Sequence, residues 1–206
     1  MLKQTILYHG GDKEMQVSEI NFNGTRDDCD FGAGFYLTPD RKVAEEWVRD
    51  RTTPVINTYR LTYCTSDVTV LEGSDWLKAV IGCREKSFAV KFTKNIVIGS
   101  IANDRMNDAL PAFLTPAIFN IGDKRLFECL TLVKLGDQYV LKNNCDGLEF
   151  LESKPLKGLA QQQARERHNA RRHDMKNKLS QIRRKQYTDE KFVEDYIEEC
   201  KHGISF

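Results

Sequence analysis

His9 closes a short apolar stretch and is followed at once by Gly10 and Gly11. An imidazole beside two residues without side chains leaves backbone N–H and C=O groups open to close approach, a hydrogen-bonding platform for a ligand. A lone histidine serves equally well as a satisfied structural residue. The second stretch with chemical potential is DFGAGFYLTPDRKVAEEW, from Asp30 to Trp47. Gly32 and Gly34 precede Phe35 and Tyr36, so the backbone there either turns tightly or lies against a ligand. Tyr36 leaves the end of an aromatic strand. Trp47, eleven residues on, falls on the inward side of the next helix with Val43 and Ala44. Two rings so placed could clamp a flat heterocycle, and the same two rings would serve as core aromatics. Arg26 stands just ahead of the aromatic strand.

The elements that carry these groups follow from hydrophobic periodicity. A strand over 4–8 delivers His9, and the polar residues 12–30 form a loop with a turn at Asn23-Gly24. Pro39-Asp40 opens a helix, with proline in the first turn where its missing N–H costs nothing. Strands are predicted over 55–63 and 68–71, a short helix over 75–81, and strands over 88–92 and 96–101. The short helix is capped by Ser74 or Asp75 and buries Trp76 and Val80. Pro111 and Pro116 make 109–121 a broken helix or an ordered loop. FECLTLVKL, residues 127–135, reads as a strong strand. A turn at Gly136-Asp137 joins it to a partner over 138–142, and a last strand covers 147–152. About eight strands, without regular βαβ alternation or a glycine fingerprint after the first, exclude a doubly wound dinucleotide-binding fold. The expected class is α+β, with a largely antiparallel sheet split into two packed leaves.

At 206 residues the chain suits one domain, 1–155, with a helical extension over 156–206. Its 40% apolar and 10% aromatic residues can fill a core. No apolar run approaches the roughly 18 residues that span a bilayer, so no membrane partner is expected. The first residues turn polar too soon for a secretory signal. Six singly spaced cysteines, with no Cys-x-x-Cys pair, read as reduced thiols of a cytoplasmic protein and argue against a metal site. The net charge of +1 hides an asymmetry. Residues 160–186 carry nine basic side chains against two acids, and residues 187–200 carry six acids against Lys191. Thr188 reads as the N-cap of the acidic helix, whose apolar face includes Val193, Tyr196 and Cys200. The two helices could fold back as a hairpin with neutralised charge. Alternatively, the basic helix docks a nucleic acid or an acidic partner.

Three segments together resemble the signature of ADP-ribosyltransferases of the His-Tyr-Glu type, the class of diphtheria toxin and the poly-ADP-ribose polymerases. LYHGG (7–11) is similar to the first segment, FGAGFYLT (31–38) to the second, and DQYVLKNNCDGLEFL (137–151) to the third. The closest resemblance is to a bacterial family of unknown function in that superfamily, recognisable by LYHG, DFG-x-GFY-x-T and a strand ending as 101–105 does here. The resemblance covers roughly residues 5–153. It implies a split, mainly antiparallel β-sandwich and attack on the bond between nicotinamide and its ribose, with NAD⁺ as co-substrate. It also implies that His9, Tyr36 and Gln138 form the catalytic set. His9 would bond the adenine-side ribose, and Gly10 would hold the nicotinamide carboxamide through its backbone. Tyr36 and Trp47 would sandwich the ring, Phe35 would join the binding set, and Arg26 would touch the pyrophosphate. Gln138 departs from the family's glutamate, keeping a hydrogen bond without its negative charge, a change that can cost about 10²–10³ in rate. Glu128, Glu149 and Asp104 do not match that position.

The reading implied is a mono-ADP-ribosyltransferase of bacterial toxin or effector type. It would act on a protein or nucleic-acid acceptor, with a cognate antitoxin as a possible partner of the basic helix. The alternative is a non-catalytic module that binds NAD⁺ or a partner. A third reading, RNA 2′-phosphotransfer, would suit the basic tail but lacks identifiable arginines.

Overall fold

The computed structural model describes residues 1–22, 27–102, 122–182, 184–188 and 190–206. One sheet has three antiparallel strands in the order β1 (Leu2–Gly11), β3 (Val55–Cys64) and β8 (Leu148–Pro155). The second runs β2 (Phe35–Leu37), β7 (Asp137–Leu141), β6 (Ile96–Ser100) and β4 (Val68–Leu71), with only the β4–β6 pair parallel. Reciprocal backbone hydrogen bonds of 2.8 and 3.0 Å between Tyr8 and Thr38 connect β1 to the residue just past β2. The two sheets are therefore leaves that meet along β1 and β2. A short parallel pair joins β5 (Val90–Lys91) to β9 (Ile204–Ser205). Five helices lie among the described residues: α1 (Arg41–Val48), α2 (Gly73–Glu85), α3 (Asp123–Leu130), α4 (Leu159–Ile182) and α5 (Val193–Glu199). The class is α+β, with antiparallel and mixed sheets.

Side-chain alternation sorts the core into layers. Leu7, Tyr59 and Leu61 of one leaf meet Phe35, Leu37, Ile96 and Leu141 of the other in one shared buried cluster. The opposite side of the β2–β7–β6 leaf presents Tyr36, Val97 and Val140 to Phe31, Trp76, Leu126, Val193 and Tyr196. On the outer side of the β1–β3 leaf, Tyr8 and Ile56 meet Ala44 and Val48 of α1 and Ala164 of α4.

Several expected elements differ. Residues 127–135 were expected as a strand, yet 123–130 form α3, because Leu126, Cys129 and Leu130 fall at i, i+3 and i+4 and bury one helical face. The 138–142 strand consequently pairs with β2 and β6 rather than with that segment. In α1 the N-cap is Asp40, whose Oδ1 accepts the Lys42 N–H at 2.8 Å, so Pro39 precedes the helix instead of opening it. α2 starts at Gly73 without a side-chain cap from Glu72, and the 88–92 strand shrinks to β5. Residues 109–121 lie outside the described residues.

After residue 155 the chain packs onto the same body. The acidic helix begins at Val193 after the N-cap Phe192, not at Thr188. It does not form a hairpin with α4; Val193, Tyr196 and Cys200 enter the Trp76 cluster. The basic helix finds its counter-charge on α1, where Arg167 Nη2 donates to Glu45 Oε2 at 2.7 Å. Arg167 and Arg171 also lie 3.5 and 3.4 Å from the buried Glu46 carboxylate. No described helix is long and apolar enough to cross a membrane.

Candidate functional site

β1, β2 and β7 run side by side and carry the first, second and third sequence segments. Tyr8 directs both its backbone groups to Thr38, so the alternation of antiparallel pairing sends the N–H and C=O of Gly10 the same way. Among the described residues no backbone hydrogen bond takes them there. The missing side chain of Gly10 has a separate cause: a Cβ would stand 2.6 Å from the Ala44 carbonyl oxygen and 2.7 Å from Val48 Cγ1. Glycine lets α1 settle on the strand end while the backbone edge stays open.

His9 Nδ1 lies 2.9 Å from the Tyr36 carbonyl oxygen. A carbonyl only accepts, so Nδ1 carries the proton and Nε2 is left as an acceptor. Burial lowers the pKa from 6.5, against the pull of the Tyr36 carbonyl and with help from the charge of Arg51. The ring packs on Phe35, with centroids 4.5 Å apart, and so lies on the side of β2 that faces the cluster shared by the two leaves. Phe35 itself is buried in that cluster.

Tyr36 and Gln138 share the opposite face. Tyr36 pairs with Val140 in register, and Gln138 is two residues from Val140, hence diagonal to the tyrosine. The Tyr36 hydroxyl donates to the Gly32 carbonyl at 2.6 Å and accepts from the Phe31 N–H at 3.1 Å. Burial holds this phenol well above its usual 10, so it stays protonated. The hydroxyl thereby pins the loop that Gly32 turns with φ +69°. Gly34 serves contact between strands, because a Cβ there would meet Val140 Cγ1 at 2.6 Å. Trp47 belongs to a separate cluster with Val43, Ile101 and Leu135, and no ring contact joins it to Tyr36 among the described residues. The structure therefore brings Gly10, Tyr36 and Gln138 onto adjoining strands, turns the His9 ring to the other face, and keeps the two proposed clamp rings in different clusters. Arg26 and Asp104 lie outside the described residues.

A model of a protein family described as of unknown function, DUF3990, matches residues 5–151. The chain belongs to the DUF3990 family. No curated protein and no solved structure matches it. The matched span begins within β1 and ends within β8, so it includes all three site strands of this DUF3990 protein.

Sequence reasoning missed the residues that hold the site loop. Gln138 is buried, and its Nε2 donates to Asp30 Oδ2 at 2.5 Å and to the Ser100 carbonyl at 3.3 Å. Asp30, buried as well, also accepts from Arg84 and from the Ala102 N–H. Lys142 donates to the carbonyls of Phe31 and Ala33 and stands 4.6 Å from the Phe92 ring centre. Burial pushes its ammonium down to about 8. Asp30 opens the glycine stretch and could have been noticed there; Arg84 and Lys142 carry no pattern that marks them. The other acids weighed are engaged elsewhere. Glu128, on α3, accepts from Lys185 and Tyr187, and Glu149 pairs with Arg60. Among the described residues no cluster of three His, Cys, Asp or Glu could hold a metal, and the six cysteines are thiols rather than disulfides. Two cavities, one along α4 and one between α3 and the end of α4, are lined by none of His9, Gly10, Tyr36, Trp47 and Gln138.

Proposed function

We propose that this chain is an NAD⁺-dependent mono-ADP-ribosyltransferase of bacterial toxin or effector type, with the split sandwich of the ADP-ribosyltransferases. The observation that carries this reading is the side-by-side run of β1, β2 and β7, with Gly10, Tyr36 and Gln138 on neighbouring strands. NAD⁺ would supply the nicotinamide–ribose bond to be broken. The N–H and C=O of Gly10, without a backbone partner among the described residues, form a donor–acceptor edge of the kind a carboxamide needs, which is how the residues present fit that group. Gln138 offers an acceptor for a ribose hydroxyl. Tyr36 braces the glycine loop through its hydroxyl, on the strand next to Gly10. His9, neutral because it is buried, orders β1 against β2 through Nδ1 and retains Nε2 as an acceptor. Trp47 would need to swing toward Tyr36 to complete a ring clamp. The acceptor macromolecule, protein or nucleic acid, or a cognate antitoxin would use the exposed Arg172 and Lys176 of α4.

One observation favours the non-catalytic alternative: Gln138 is buried and uncharged, and its amide is already engaged. Mass-spectrometric detection of nicotinamide released from NAD⁺ separates the two. Release by the wild type, reduced about 100-fold or more in Gln138→Ala and abolished in Tyr36→Ala, supports the transferase. Binding of NAD⁺ in calorimetry with no release at long times supports the module. Neither binding nor release overturns both.

A further inference from the structure

Asp30 sits at the centre of a buried cluster that ties four segments together. Its Oδ1 accepts from Arg84 at the end of α2. Its Oδ2 accepts from the Ala102 N–H at 3.0 Å, just beyond β6, and from Gln138 Nε2 at 2.5 Å on β7. The Ser100 carbonyl faces the same Nε2 at 3.3 Å. Two acceptors at one end of a carboxamide decide which end is nitrogen, because only the NH₂ can donate to a carboxylate and a carbonyl. Turning the amide over would set Oε1 against the Asp30 carboxylate and lose both bonds. Among the described residues no hydrogen bond reaches Oε1.

We propose that Asp30 is the positioning residue of Gln138: it locks the carboxamide so that Oε1 is the acceptor offered to a ligand hydroxyl, and it is why position 138 holds glutamine rather than glutamate. Only the identity of that hydroxyl, a ribose hydroxyl, rests on the transferase reading; the lock does not. A glutamate at 138 would bring a second carboxylate to Asp30 at hydrogen-bond distance, and two carboxylates sharing one site cannot both ionise. Moving the charge, with Asn at 30 and Glu at 138, restores one donor facing one carboxylate at that contact, while the Ala102 N–H loses its acceptor and the Ser100 carbonyl its donor, so the repair is partial.

The test is a mutant cycle of Asp30→Asn, Gln138→Glu and the double exchange, read by urea midpoints. Alongside it, ¹⁵N spectra record the side-chain amides of the wild type and Asp30→Asn. The Gln138 NH₂ resonance is assigned by its disappearance in Gln138→Glu. The lock predicts a lowered midpoint for Gln138→Glu, a double exchange less destabilised than the sum of the two single variants, and a displaced Gln138 resonance in Asp30→Asn. Additive midpoints with an unmoved resonance overturn it. Should Asp30→Asn fail to fold, Gln138→Glu and Gln138→Leu are compared with Asp30 intact. A Glu variant at least as stable as the Leu variant overturns the proposal, and a less stable one supports it. In nicotinamide release, Asp30→Asn is expected to lower kcat about 10- to 100-fold with KM little changed. An unchanged kcat overturns the positioning role while leaving the transferase reading intact. A wild type that releases no nicotinamide sinks that reading, and the cycle and spectra still decide on Asp30.

Discussion

The phenol of Tyr36 does two things that separate cleanly in a Phe variant. Its hydroxyl closes the 31–34 loop through Gly32 and Phe31, while its ring packs beside Val140. Tyr36→Phe keeps the ring and leaves a carbonyl and an N–H without their partner, a loss of about 1–3 kcal/mol, read as a lower urea midpoint. Nicotinamide release should persist if the ring is what the ligand meets. His9 gives a pH signature. Its folded pKa lies below 6.5 because burial disfavours the charged ring. The unfolded chain therefore takes the proton first as pH falls, so the stability this residue contributes is full above pH 6.5 and declines below it. Urea midpoints at pH 7.5 and 5.5 should fall more for the wild type than for His9→Gln. At this scale the sequence was partly readable. Gly10 and Tyr36 were legible as glycine and aromatic at strand ends, but a hydrogen bond between Asp30 and Gln138 links positions far apart in sequence. No local spacing announces it.

Elements were legible where one periodicity dominated. β1, β3, β6 and β7 follow from apolar alternation, and α4 from an uninterrupted run of helix formers. The 127–135 stretch misled because its six apolar residues in nine satisfy a strand as well as a helix. Contact of Leu126, Cys129 and Leu130 with the body decides for the helix, and Leu126 lay outside the window that suggested a strand. The charge pattern of α4 was visible, but not its partner. Glu46 is 4% exposed, and its pKa is raised by burial in spite of Arg171 and Arg167 nearby. Arg167→Ala with Arg171→Ala would strip that buried carboxylate of both partners. The expected loss is about 3–5 kcal/mol in urea unfolding, and Glu46→Gln in the same background should recover part of it.

Across the whole molecule, residues after 155 complete the fold rather than trail from it. Val193 and Tyr196 are buried against the Trp76 cluster, and β9 pairs with β5. Each of those side chains contributes about 1.5–3 kcal/mol of burial. Removing residues 193–206 is therefore expected to lower Tm by about 10–20 °C in a thermal melt. Composition hinted at an acidic helix but not at its berth, since burial of an amphipathic face depends on a surface that forms only when distant strands meet. The placement of α1 has one more consequence. Its Ala44 and Val48 lie over Gly10, while Glu45 and Glu46 are gripped by arginines of α4. A polyanion that captured those arginines would slacken the clasp on α1 and loosen the helix from the strand end beneath it. Deuterium uptake along α1 would then rise when heparin is added.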